Sequence, residues 1–270
     1  MIRRDETDGY LLITQNDHAK LSGQLAACVG NERFGALIDN AAAVRGITLH
    51  DCGWPVHDEA PTINPKGQPT DVFESPHDVA LRVWTESAAR ATAEGPYPGL
   101  LVSLHVLHLS LLADARKQDV HERFAVNKFQ HAEVERQETL RQSLGLRIDR
   151  PLMHGLADPH ADPLEDALRY HFRWLQTLDQ ISLALCCTAP PISRTTELHP
   201  HAGDDAVKLS LECTGERALR IDPWPFDRPS IDLQITGRLV PRVHYDDAAQ
   251  LRTAYATAAE RSLHMRLHGG

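Results

Sequence analysis

The fold class of this chain is decided first by residues 174–186, which have the sequence WLQTLDQISLALC. Apolar residues in this stretch recur at spacings of three and four, the periodicity of an amphipathic α-helix. Leu175, Leu178, Ser182 and Leu185 lie on the same side as Asp179. The stretch therefore predicts a core helix that carries one carboxylate into the body of the protein.

Helical periodicity extends over most of the chain from residue 15 to residue 188. Six segments have it: 17–29, 33–51, 76–94, 98–117, 119–144 and 163–187. Proline and glycine separate them, most extensively in the loop from Gly53 to Pro76. A loop of this length is unusual as a mere connection, so we expect it to be functional or to pack as a lid.

Strand patterns flank this helical body. Residues 1–14 predict a β-hairpin, and residues 207–213 alternate between apolar and polar as a half-buried strand does. Short strands continue towards residue 245, and a closing helix is expected over residues 246–267. We therefore predict one domain, residues 1–270, of the mainly α class. It has a helical body over 15–188 and a small antiparallel β-sheet built from residues 1–14 and 205–245.

Composition narrows the classes of function. The 270 residues are 42% hydrophobic and 24% charged, which is ordinary for a soluble globular protein. A formal net charge of -9 argues against nucleic acid as a partner, because a phosphate backbone requires a basic face. No apolar run is long enough for a membrane span or a signal peptide, so a cytoplasmic location is expected. The five cysteines lack CxxC spacing, which favours a reducing compartment.

Familiar nucleotide, serine-hydrolase and zincin motifs are absent, but the chain has an adjacent His50-Asp51 pair at the end of an alanine-rich helix. Imidazole nitrogen with carboxylate oxygen suits a divalent transition metal such as Fe, Mn, Co, Ni or Zn. The dipeptide alone is a weak indication, since His57-Asp58 and His77-Asp78 are also present. His18 strengthens it, because this residue shares the apolar face of its predicted helix.

Two further residues are candidates for the same site. The predicted burial of Asp179 requires a partner, since a lone carboxylate costs several kcal/mol to desolvate; a metal ion or an arginine would serve. His105 lies in the apolar helix over residues 98–117. It is a candidate ligand or acid/base residue, although a histidine in such a helix is often a hydrogen-bonded core residue.

The order of a helical histidine, an HD pair and a distant aspartate resembles the HD-domain superfamily. The whole chain is similar to an uncharacterised bacterial family, domain of unknown function 3891. The similarity is carried by residues 12–23, 49–54, 60–65, 97–105, 178–183 and 222–226. The superfamily resemblance implies an HD-domain-like helical body in which His18, His50, Asp51 and Asp179 jointly bind one metal ion.

Superfamily members with a second metal ion have additional histidines between the HD pair and the last aspartate. His105 fits this place as a fifth ligand or an acid/base residue. A second such histidine has no clear match, since His131 lies in a polar helix. One metal ion is therefore expected, with Asp51 and His105 as the predicted catalytic residues.

Three residues near the predicted ligands are candidates for substrate contacts. Gln15 precedes the first ligand helix, Trp54 follows the HD pair, and Asn64 lies in the long loop. Two of them have a structural alternative as well: Trp54 as a core residue and Asn64 as a turn residue before proline.

The leading hypothesis is a metal-dependent hydrolase of phosphate esters, in which the ion activates water. Basic groups for the phosphate are available in Lys20, Arg45, Arg82 and Lys128. The alternatives are a non-haem iron oxygenase with a di-iron HD-type site, a non-catalytic metal- or ligand-binding protein, and a structural role without metal. A small-molecule substrate is expected, with neither nucleic acid nor membrane as partner, and the C-terminal sheet offers a surface for a homodimer.

Overall fold

The computed structural model describes residues 1–37, 40–112, 119–146, 163–187, 195–202, 204–215 and 217–270. The helices are α1 (Gln15–Ala26), α2 (Ala41–Leu49), α3 (Pro55–Asp58), α4 (His77–Glu94), α5 (Pro96–Leu112), α6 (Val120–Ser143), α7 (Pro163–Cys186) and α8 (Ala248–Thr257). The strands are β1 (Ile2–Glu6), β2 (Gly9–Ile13), β3 (Thr195–Leu198), β4 (Val207–Gly215), β5 (Ala218–Asp222), β6 (Ser230–Val240) and β7 (Glu260–His268).

Most of the helices predicted within residues 15–188 are present, and the main difference among them is in α2. The segment 33–51 was expected to be one helix, but α2 begins only at Ala41, where the Asn40 side chain accepts a hydrogen bond from the Ala43 backbone N–H. An asparagine in this position starts a helix, because its side chain satisfies a backbone donor of the first turn. The predicted end of the 98–117 helix and the loop over 151–163 lie largely outside the described residues.

The long loop after Gly53 contains regular structure. Helix α3 occupies its start, and a 3₁₀ turn, Val72–Glu74, lies near its end with Asp71 as its cap. The Asp71 carboxylate also accepts a hydrogen bond from the Arg3 backbone N–H at 2.8 Å. The segment is therefore bound to strand β1 and packs as part of the body.

The β-sheet is much larger than the sequence indicated, so the mainly α prediction with a small antiparallel sheet is wrong. Helices account for 51% of the structure and strands for 22%, and the seven strands form a curled, mixed sheet resembling a half-barrel. Its strand order is β1-β2-β6-β7-β5-β4-β3. β5 and β7 pair in parallel, and the other neighbours are antiparallel.

The closing helix predicted over 246–267 is the specific source of this error. Only α8 is helical, and the chain then forms β7, the strand that joins β6 to β5. Leu263, Met265 and Leu267 are buried in β7, while His264 and Arg266 between them are exposed. This period of two belongs to a strand, and long-range pairing with β6 outweighs continuation of the helix.

The helices and the sheet together position one buried region. α1 contacts α2 and α7, α5 contacts α2 and α7, and α1 and α7 also pack against strands β6 and β3 respectively. Helices α1, α2, α5 and α7 therefore pack around a common centre. Among the described residues, no helix is both long and apolar enough to cross a membrane.

Candidate metal centre

The predicted ligands come from four different helices and meet in this centre. His18 lies in the first turns of α1, His50 is the C-cap of α2, and Asp51 follows it. His105 lies in the middle of α5, and Asp179 lies in α7. The three histidines are at most 2% exposed, whereas the side chain of Asp179 is 14% exposed, so the centre is buried on the histidine side and reaches solvent at Asp179.

His18, His50 and Asp179 form its tightest part, with one ligand atom each and all these atoms within 4.8 Å of one another. His18 Nε2 lies 2.9 Å from Asp179 Oδ1 and 3.3 Å from His50 Nε2. His50 Nε2 lies 3.6 Å from Asp179 Oδ1. Nitrogen and oxygen ligands about 2.0–2.2 Å from one ion lie about 3–4 Å from each other, so these spacings suit a shared transition metal.

Asp51 lies beside this group. Its Oδ2 is 3.6 Å from His50 Nε2 and 3.8 Å from His18 Nε2. Its other oxygen, Oδ1, accepts a hydrogen bond of 3.1 Å from the Trp54 indole N–H. Trp54 therefore orients the carboxylate with one oxygen towards the histidines.

The imidazole of His50 has a defined orientation. Its Nδ1 lies 2.8 Å from the Ile47 carbonyl oxygen, which can only accept a hydrogen bond. The proton of neutral His50 is therefore on Nδ1, and the lone pair of Nε2 is directed at His18 and Asp179. A backbone carbonyl in this role is the usual outer partner of a metal-binding histidine.

His18 has a similar partner in Ser182, whose Oγ lies 2.7 Å from His18 Nδ1. Ser182 Oγ also donates to the Asp179 carbonyl oxygen at 3.0 Å, and it lies 2.9 Å from the Ser22 hydroxyl. If Ser182 donates its proton to the Asp179 carbonyl oxygen, its Oγ accepts a hydrogen bond from His18 Nδ1–H. The lone pair of His18 Nε2 is then directed at the centre. If Ser182 donates to Nδ1 instead, His18 Nε2–H donates to Asp179.

The charges of the centre favour a cation. Burial opposes charge on His50, but the carboxylates of Asp51 and Asp179 outweigh it and raise the pKa of His50 to about 9. Burial alone would raise the pKa of Asp179, yet contacts with His18 and His50 hold it well below its usual value. Burial raises the pKa of Asp51. A proton on His50 and a metal ion would compete for one position, because a metal ligand must be deprotonated.

His105 is a neighbour of this group rather than a member of it. Its Nε2 lies 3.8 Å from Asp179 Oδ2, and its ring centroid lies 5.2 Å from that of His50. Burial lowers the pKa of His105 to about 3 although Asp179 opposes this shift. His105 Nδ1 is buried without a hydrogen-bond partner. His105 is therefore neutral near pH 7, where it can accept a hydrogen bond or ligate an ion but serves poorly as either an acid or a base.

The predicted substrate residues have different surroundings. Gln15 is buried at the start of α1, and its side-chain Oε1 has no hydrogen-bond partner. Trp54 adjoins the centre through Asp51, as described above. Asn64 accepts hydrogen bonds from the backbone N–H groups of Lys66 and Gln68, which makes it the organising residue of a turn in the long loop.

The other candidates lie elsewhere. Lys20 pairs with Asp17 and Arg45 with Glu94, both at exposed positions. Lys128 and His131 are exposed on α6, whereas the histidine centre is buried. Burial raises the pKa of the Cys52 thiol to about 11, so this residue is a neutral filler beside the HD pair.

Ser182 contacts a predicted ligand, but no role was predicted for it from the sequence. It was placed on the same side of its helix as Asp179, and a small polar residue three positions after a buried carboxylate is the pattern that could have indicated its function. Its partner Ser22 is one turn after His18 on α1. Polar side chains inside apolar helices therefore mark the outer contacts of this centre.

Comparison with known proteins gives a family but no function. Searches of curated proteins and of solved structures returned no match. A family model described as a protein of unknown function (DUF3891) matches residues 1–242. The chain therefore belongs to the DUF3891 family.

Proposed function

We propose that this protein is a metal-dependent hydrolase of phosphate esters, with His18, His50 and Asp179 holding a divalent transition metal ion. The observation that carries the proposal is the convergence of His18 Nε2, His50 Nε2 and Asp179 Oδ1. The 3.3 Å separation of the two Nε2 atoms requires a positive charge between them, which either a proton or a metal ion can supply. Two nitrogens and a carboxylate oxygen suit Fe, Mn, Co, Ni or Zn.

The bound ion would lower the pKa of a water molecule and polarise a phosphoryl oxygen. Asp51 is placed to accept the proton of that water, because its Oδ2 lies near both histidines while Trp54 holds its Oδ1. Burial makes this carboxylate a stronger base than an exposed aspartate. His105, being neutral, can accept a hydrogen bond beside Asp179 or act as a further ligand.

The HD-domain resemblance belongs to the same proposal. It rests on the order His18, His50-Asp51 and Asp179 along the chain, which are the residues that lie together in the centre. A di-iron oxygenase would require a second additional histidine, and the candidate that the sequence offered, His131 on α6, is exposed. The mononuclear hydrolase is therefore the function that this geometry supports best.

The first experiment is elemental analysis of protein purified without chelator, followed by reconstitution with Mn²⁺, Fe²⁺, Co²⁺ and Zn²⁺ separately. We expect about one ion per chain, and its loss in His18→Ala and His50→Ala. His77→Ala is the matched control, because His77 belongs to another HD dipeptide but is part-exposed and pairs with Glu122. No ion in any preparation near neutral pH would overturn the proposal, and two irons per chain would favour the oxygenase.

The second experiment tests the reaction. The loaded protein is assayed with 4-nitrophenyl phosphate and bis(4-nitrophenyl) phosphate, and Asp51→Asn is compared with Asp78→Asn. Hydrolysis that is lost only in Asp51→Asn supports the hydrolase. If the metal-loaded protein hydrolyses neither ester and no member of a panel of nucleotides, the hydrolase proposal is wrong and the protein binds metal without this activity.

A further inference from the structure

A cavity of about 710 Å³ lies between α3, α4 and the loop that joins them. Its walls include Trp54, His57, Ile63, Lys66, Val79 and Arg82. This volume lies in the range of small-molecule sites, about 300–1,000 Å³. The long loop that the sequence suggested as a lid thus forms one wall of a pocket.

We propose that this cavity binds a small organic anion with an apolar or aromatic body. Trp54, Ile63 and Val79 supply apolar surface, together with prolines 61, 65 and 76. Such walls suit a ring or a short chain, because apolar lining with few polar groups is typical of ligand sites. The apolar walls therefore indicate that the body of the ligand is apolar.

The charge of the ligand follows from the cations at the cavity. Lys66 lines the cavity, is exposed and has no ion-pair partner among the described residues. Arg82 lies 3.5 Å from the exposed carboxylate of Asp78 and donates from Nε to the Asp78 carbonyl oxygen at 3.3 Å, and no closer carboxylate is paired with it among the described residues. The acidic residue in the lining, Glu74, is engaged by Arg3 at 3.1 Å and by the Asn64 amide. Two cations therefore remain to meet an anionic group such as a phosphate.

His57 provides a further polar group in the wall. Burial, the nearby charge of Arg82 and the amino terminus all lower its pKa. A neutral imidazole can donate one hydrogen bond and accept another, so it suits the oxygen atoms of a phosphate ester or of its organic body.

Trp54 places this cavity next to the histidine centre. The indole lines the cavity, and its N–H donates to Asp51 Oδ1. A ligand packed against Trp54 is thus separated from Asp51 by a single side chain. We infer that the cavity holds the apolar body of the substrate together with a second anionic group that does not react, and this assignment rests on the proposed function, whereas binding of an anion in the cavity does not.

The test uses 1-naphthyl phosphate as the anionic probe and 1-naphthol as its neutral counterpart. Binding is measured by calorimetry on chelator-treated full-length protein, so that neither hydrolysis nor metal coordination contributes. We expect the phosphate to bind and the naphthol to bind more weakly. The double variant Lys66→Met/Arg82→Gln should weaken phosphate binding by about tenfold, because charge-assisted hydrogen bonds are lost. Lys128→Met, an exposed lysine on α6, should bind as the wild type does.

His50→Ala distinguishes the two sites. Binding that survives in His50→Ala but weakens in the double variant supports the cavity, even if elemental analysis finds no metal and the proposed function fails. Binding that is lost in His50→Ala and unchanged in the double variant places the probe in the histidine centre and overturns the cavity proposal. Absence of binding to the wild type, or equal binding of naphthol and phosphate, also overturns it.

Discussion

Replacing Ser182 by alanine tests whether the histidine centre is built for a metal ion or only for a buried ion pair. Ser182 Oγ lies 2.7 Å from His18 Nδ1. A metal ligand at His18 Nε2 requires the proton on Nδ1, and Ser182 is the acceptor that stabilises it there. The alanine variant removes this acceptor, and the proton then moves to Nε2, where Asp179 accepts it at 2.9 Å.

The expected magnitude follows from this change of tautomer. Loss of an outer partner of a metal-binding histidine typically lowers metal affinity about 10- to 100-fold. That range corresponds to about 1.4–2.7 kcal/mol of binding free energy. The free energy of unfolding should also fall by about 1–3 kcal/mol, since a buried hydrogen-bonding group loses its partner. A simple buried ion pair would show only this second effect.

Metal affinity is measured by competition with a chromophoric chelator, and the free energy of unfolding by urea denaturation of the metal-depleted protein. Ser110→Ala is the matched control, because Ser110 is a buried serine of α5 that donates to the Leu107 carbonyl instead. A folded Ser182→Ala protein with metal affinity within about twofold of wild type would refute the tautomer reasoning. An equal loss of affinity in Ser110→Ala would assign the effect to general destabilisation.

Two further predictions concern stability. A Cβ atom at Gly53 would lie 2.2 Å from the Val83 carbonyl oxygen, so Gly53→Ala should lower the free energy of unfolding by about 1–3 kcal/mol. Gly215→Ala, where a Cβ meets open space, should change it by less than about 0.5 kcal/mol, and equal shifts of the urea midpoints would contradict this. Burial lowers the pKa of His171 from 6.5 to about 4, so the unfolded chain binds more protons below pH 6.5 and stability falls as the pH drops from 6.5 to 4. His171→Asn should flatten this fall by up to about 1.4 kcal/mol per pH unit, and an unchanged slope in urea denaturation at several pH values would count against it.

The sequence was most informative about the helices and the candidate ligands. Periodicity around Asp179 indicated that its carboxylate points into the body, and the structure places it against His18 and His50. His105 was predicted from its apolar helix together with the HD-domain resemblance, and it lies beside Asp179. The side of α7 on which Asp179 lies could be predicted because a helix has a fixed period, so it can be read from local spacing alone.

The sheet could not be predicted to the same extent. β7 pairs with β6 and, in parallel, with β5, and such pairings join residues that are far apart along the chain. The strand pattern of Leu263, Met265 and Leu267 is short and follows an alanine-rich helix, so a local interpretation extends the helix across it. The start of α2 was missed because the helical periodicity continues across Asn40, whose side chain caps the helix through the Ala43 backbone N–H.

The sequence by itself determined which side chains of α1 and α7 face the interior, and therefore that His18 and Asp179 were available to meet other ligands. Only the tertiary structure decided which atoms meet and how they are oriented. Ser182 and the Ile47 carbonyl orient the imidazoles of His18 and His50, Trp54 orients Asp51, and the loop after α3 encloses the neighbouring cavity. These arrangements depend on the packing of distant segments against one another, and local periodicity contains no information about that packing.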